Sequence, residues 1–103
     1  MDNVVKGTVL KLHLNIYDFD PEILVDYVDF SIKFFVKKTK SVAISKSEMT
    51  LLNNNNYFLN LDTSLLDVGR VTCELHADMP DAAIPSDKRK VIIRKHTTIN
   101  IVS

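Results

Sequence analysis

Thr8-Val9-Leu10-Lys11-Leu12-His13-Leu14-Asn15-Ile16-Tyr17 decides the fold class: Leu10, Leu12, Leu14 and Ile16 alternate with Lys11, His13, Asn15 and Tyr17. A period of two sends neighbouring side chains to opposite faces of an extended chain, so the stretch reads as a strand with one face in a core and one in water. The same alternation returns in Val28, Phe30, Ile32, Phe34 and Val36, set against Asp29, Ser31, Lys33, Phe35 and Lys37. It returns again where Val71, Cys73, Leu75 and Ala77 oppose Arg70, Thr72, Glu74, His76 and Asp78. Shorter strands are predicted around Val42 and Ile44, at the edge from Met49 to Leu52, and across Tyr57, Leu59 and Leu61. In the last strand, from about Lys90 to Val102, Val91, Ile93, Ile99 and Ile101 share a face that Lys95 and Thr97 interrupt. A bulge, or a strand leaving its sheet midway, would account for the interruption.

Between these runs the chain carries turn chemistry. Pro21 breaks the alternation within Asp18 to Asp26, Lys37 to Lys40 is polar, and Asn53 to Asn56 supplies side chains that tolerate left-handed torsions. Ser64 and Asp67 have the spacing that caps a single helical turn, and Met79 to Asp87, with Pro80 and Pro85, reads as an irregular loop. Strands at short intervals with no long amphipathic helix predict an all-β fold: an immunoglobulin-like antiparallel β-sandwich of about seven strands, as a single domain over residues 1–103. A small barrel is the structural alternative. The antibody hallmarks are missing, since there is no Trp and only one Cys, so the core is expected to rest on Phe30, Phe34, Leu59, Val71 and Leu75.

Composition agrees. Val, Ile and Thr number 11, 9 and 7 against four Ala, an excess of β-branched side chains that suits pleated surfaces. At 103 residues only one compact core is economical, with roughly 60–65% of the unfolded surface buried, so stability is expected to lean on neighbours. Thirteen basic residues balance thirteen acidic ones, leaving no net field to gather nucleic acid or an anionic membrane. Met1 is followed by Asp2 and Asn3 instead of a basic, apolar leader, Cys73 has no partner for a disulfide, and no apolar run approaches the ~20 residues of a membrane span. A cytosolic protein is expected.

No catalytic, cofactor or metal site is expected either. His13, His76 and His96 each sit on the polar side of a strand without a second ligand at zinc spacing. Asp18, Asp20 and Glu22 offer oxygen ligands, but Ile23 and Asp29 stand where a calcium loop requires Gly and Glu. Cys73 alternates with Val71 and Leu75 and reads as a small buried hydrophobe. With only Gly7 and Gly69, neither a phosphate-cradling loop nor a nucleophile elbow can be built. Two basic runs, Lys33/Lys37/Lys38/Lys40 and Lys88-Arg89-Lys90 with Arg94 and Lys95, read as solvated charge or as a docking surface for acidic groups.

The order of short motifs carries a resemblance. Lys6-Gly7-Thr8 opens the first alternating strand, Val28-Asp29-Phe30-Ser31-Ile32 follows a loop, and Gly69-Arg70-Val71-Thr72 leads to Ala77-Asp78-Met79-Pro80-Asp81. This is similar to small immunoglobulin-like modules in structural proteins of tailed phages, including the N-terminal module of baseplate upper proteins. Gly69 through Arg89, with Ile84-Pro85 and Asp87-Lys88-Arg89, resembles virion proteins of phages infecting Bacteroidales, the crAss-like group among them. The resemblance implies a non-enzymatic virion component assembled in the host cytoplasm. Options are an auxiliary capsid protein decorating the shell and supporting head fibres, or a tail or baseplate adaptor; an end at Ser103 favours decoration.

The partners implied are other virion proteins, such as the major capsid protein or a fibre, with no membrane, nucleic acid or small-molecule substrate. Expected contact residues are apolar or aromatic side chains on polar surfaces, Tyr17 and Phe35, and the loop bearing Met79, Asp81 and Ile84. Docking by surface complementarity is the expected mode, with sheet-edge pairing to a neighbouring subunit as an addition to it and many copies on a lattice compensating for weak single contacts. A carbohydrate-binding sandwich is the competing class, weakened by the absence of Trp; a small hydrolase on this fold is weaker still.

Overall fold

A computed structural model describes residues 2–15, 29–53, 56–80 and 88–103. These residues form eight strands: β1 (Asp2–Val5), β2 (Val9–Asn15), β3 (Asp29–Phe35), β4 (Ser41–Ser45), β5 (Thr50–Asn53), β6 (Asn56–Asp62), β7 (Gly69–Pro80) and β8 (Lys88–Val102). One sheet has the order β1-β8-β7-β3-β4 and the other β2-β6-β5. The fold is thus an all-β sandwich, antiparallel except where β1 runs parallel to the end of β8.

The alternating apolar residues supply the layer between the sheets. Phe30, Ile32 and Phe34 of β3, Val71, Leu75 and Ala77 of β7, and Leu59 and Leu61 of β6 are all buried there. All five residues expected to anchor the core do so. The Phe30 and Tyr57 rings meet edge to face, with centroids 5.4 Å apart, and tie β3 to β6 across the gap.

The interrupted period of β8 is a bulge. Between Arg70 and Thr72, β7 advances two residues while β8 advances four, from His96 to Asn100. Thr97 repairs the broken ladder. Its hydroxyl donates to Val71 O at 2.6 Å and accepts from the Ile99 N–H at 3.1 Å, while Arg70 Nε donates to Thr97 O at 3.0 Å.

Three local readings need correction. β1 was not foreseen, because Asp2-Asn3-Val4-Val5 is too short to show a period; its identity comes from pairing with Ile99–Val102, near the other end of the chain. The loop expected from Met79 starts later, since Met79 and Pro80 still pair with Arg89 and Lys88. The turn after β6 is a 3₁₀ turn, Thr63–Leu65, capped by Asp62, whose carboxylate accepts the Ser64 N–H at 3.0 Å, and not by Ser64 itself. Of the asparagine turn, Asn53 pairs with Asn56, and the two residues between lie outside the described residues.

Candidate functional site

Two surfaces and the fate of each polar group define what the molecule can do. On the outer face of the five-stranded sheet, Glu74 of β7 lies opposite Lys33 of β3 and Arg94 of β8. Arg94 donates to Glu74 Oε2 through Nε and Nη2, both at 2.6 Å, and His76 Nε2 lies 3.1 Å from Oε1. The hydrogen bond from Arg94 above all holds the Glu74 carboxyl below its ordinary value, against the opposing effect of burial, and His76 adds a lesser lowering. Glu74 is buried beneath these side chains, of which Arg94 is the more open to solvent. This is a structural ion pair.

The other histidines are similarly occupied: His96 Nδ1 is 3.1 Å from the Thr72 hydroxyl, and His13 packs edge-on against Phe58 at 5.8 Å. Among the described residues no three His, Cys, Asp or Glu side chains converge as metal ligands. Cys73 is buried, and burial pushes its thiol up, only partly offset by the charge of Lys95.

Phe35 corrects an expectation. It points to the outer face as its period requires, but it is only 7% exposed. Lys33 Nζ lies 6.0 Å and Arg94 Cζ 5.8 Å from its ring centroid, so the long basic side chains cover it. Phe35 is therefore not an exposed contact residue. Tyr17, Asp81 and Ile84 lie outside the described residues, as do Asp18, Asp20 and Glu22. Met79 is placed by its backbone, near the end of β7 and opposite Arg89.

The second surface is one end of the sandwich, built where β1 turns into β2, β3 into β4, and β6 into β7. Thr63, wholly buried, joins two of these connections. Its hydroxyl donates to Thr8 O at 2.7 Å and accepts the Gly7 N–H at 3.0 Å, and its own N–H donates to Thr8 O at 3.1 Å. Gly7 accepts the geometry because its φ of 103° is open to glycine. The β3–β4 connection joins them at Leu65, which shares a shallow surface depression with Thr39, Lys40 and Val42, and through an ion pair from Lys40 to Asp67 at 3.8 Å. Val5, Val9, Leu65 and Val68, in or beside these connections along the chain, are exposed, as are Lys6, Lys37, Lys38 and Lys40 within them.

The basic runs seen in the sequence thus divide. Lys37, Lys38 and Lys40 belong to this end, Lys33 and Arg94 to the cover of Phe35. No sequence period marked the four apolar side chains at the end, because they fall at strand termini and turns. Their grouping appears only once Thr63 brings residues 55 positions apart together.

No protein-family model, no curated protein and no solved structure matches this chain.

Proposed function

We propose that this chain is a non-enzymatic structural protein of a tailed-phage particle: an immunoglobulin-like module that decorates the capsid shell and docks on the major capsid protein or a fibre. The single observation that carries the reading is the apolar end. Val5, Val9, Leu65 and Val68 are left in water beside connections that Thr63 latches together, and they are four of the seven large apolar side chains exposed among the described residues. An exposed apolar patch with a polar rim is the physical mark of a protein-binding surface. The histidines and Glu74 support the same reading, because each is engaged in holding a strand face together. The resemblance to phage modules supplies the kind of particle, and the strand order, with sequence neighbours β2 and β3 in opposite sheets, suits an immunoglobulin-like sandwich.

Purifying particles from cells that express the chain during phage growth tests the proposal. The expected result is co-sedimentation with intact particles in a fixed stoichiometry, and a charge-bearing variant, Val9→Asp with Leu65→Asp, that folds but no longer sediments with them. Binding to a glycan array with no association with particles would replace this reading with the carbohydrate-binding one.

A further inference from the structure

Every connection at the end latched by Thr63 lies within the described residues: β1–β2 at residues 6–8, β3–β4 at 36–40 and β6–β7 at 63–68. Contacts bring the three together. Thr63 holds Gly7 and Thr8, and the Lys6 N–H donates to Val102 O at 2.7 Å, at the end of β8. Gly69, which follows Val68, lies so close to Val36 that a Cβ there would stand 2.8 Å from Val36 Cγ1. The start of the β3–β4 connection is thereby set against the end of the β6–β7 one.

Charge is unbalanced at this end, although it balances over the chain as a whole. Lys6, Lys37, Lys38 and Lys40 stand in the connections against Asp62 and Asp67, and both acids are engaged within the molecule. Asp62 Oδ1 accepts the Ser64 N–H and hydroxyl, and Asp67 pairs with Lys40. Lys6, Lys37 and Lys38 are exposed, and their side chains make no hydrogen bond or ion pair among the described residues.

We propose that this end docks on an acidic protein surface: the partner sets carboxylates against Lys6, Lys37 and Lys38 and apolar side chains against Val5, Val9, Leu65 and Val68. The proposal rests on the reading of this end as an attachment surface and names the partner's chemistry. A partner without carboxylates would leave three ammonium groups partly desolvated and unmatched, which opposes docking. A second copy of this chain would set lysines against lysines, which opposes self-association. Shape favours a protein over a lipid surface. The depression of about 600 Å³ beside Leu65 and Val42 is a concavity that a projecting partner side chain fills, whereas a bilayer is bound by apolar groups that project into it.

The test uses the full, ¹⁵N-labelled chain and a synthetic peptide, capped at both ends, with two glutamates on each side of a leucine. Its addition is expected to shift the backbone amide resonances of residues 5–9, 37–42 and 63–68 saturably, with a Kd on the order of millimolar, and the shifts fade at high salt. Lysine in place of every glutamate in the peptide abolishes them. Each of Lys6→Glu, Lys37→Glu and Lys38→Glu weakens binding about threefold, whereas Lys90→Glu, the same charge change near the opposite end of β8, leaves it unchanged.

Shifts that are absent, that spread over the lysines of the sheet faces, or that the lysine peptide reproduces would overturn the proposal. So would an equal loss in Lys90→Glu, which would reduce the effect to net charge. Sedimentation of the chain with phosphatidylserine vesicles in place of any peptide response would make an anionic lipid surface the occupant. The salt and lysine-peptide controls need only the unmodified chain, so a folding defect in a variant does not blunt the test. Normal sedimentation with particles of a chain carrying all three substitutions would sink the acidic partner and leave the particle reading standing; absence of the unmodified chain from particles would sink the particle reading and leave the peptide result to decide this one.

Discussion

Thr63 and Gly69 show how much of this fold hangs on single side chains. Thr63 has no solvent exposure and makes three hydrogen bonds to the β1–β2 turn. Thr63→Val keeps the volume but removes the acceptor of the Gly7 N–H and one of the two bonds to the Thr8 carbonyl, which keeps the backbone N–H of residue 63, so a loss of about 1–3 kcal/mol is expected in urea denaturation. Gly69 has φ at 136°, and a Cβ there would lie 2.8 Å from Val36 Cγ1. Gly69→Ala should cost about 1–3 kcal/mol. Adding Val36→Ala should not restore full stability, since it relieves the clash but leaves the torsion; full recovery in the double variant would show that only the clash mattered.

Phe35 carries a lesson for mutagenesis at the same scale. Because Lys33 and Arg94 cover it, Phe35→Ala is expected to destabilise the fold by about 3 kcal/mol, so a docking defect in that variant does not identify an interface. An unchanged melting temperature would show that the ring contributes nothing to the face.

At the level of elements, the Glu74 pair on β7 and β8 makes a pH prediction with a definite sign. The folded carboxyl titrates below its ordinary value of 4.5, chiefly through Arg94. Its stabilising contribution is fully present above the unfolded value and is lost as pH falls through the lower, folded one. Glu74→Gln should therefore narrow the gap in stability between neutral pH and the acid side of 4.5. Arg94→Met should raise the Glu74 titration midpoint, read by NMR of its side-chain carboxyl; an unmoved midpoint would deny the pair its role.

The long strands were legible in the sequence because the apolar residues of β2, β3 and β7 gather on the face turned to the other sheet, and that one-sided placement is what a period of two records. The break at Lys95 and Thr97 was legible as well, and it marks a bulge. β1 was not, since four residues that pair parallel to the far end of the chain leave no local trace. Another local signal was present and passed over: Ser45 and Glu48 have capping spacing, and the Ser45 N–H donates to Glu48 Oε1 at 3.2 Å at the start of the 3₁₀ turn Lys46–Glu48. Of the candidate contact residues, Phe35 was placed on the correct face but with the wrong exposure. Alternation tells which way a side chain points and not what its neighbours lay over it.

For the whole molecule, the proposed function makes the sandwich a scaffold that holds a neighbour by the end where Val5, Val9, Leu65 and Val68 are exposed. A balanced net charge leaves long-range steering weak, so attachment would depend on that short-range surface and on repetition over many copies. The most direct measurement is a side-chain-resolution reconstruction of particles assembled with this chain present. The account predicts an ordered copy at a repeating position, with Val5, Val9, Leu65 and Val68 buried against a neighbouring virion protein. Particles that assemble without the chain, or that hold it with those four side chains still facing solvent, would contradict it.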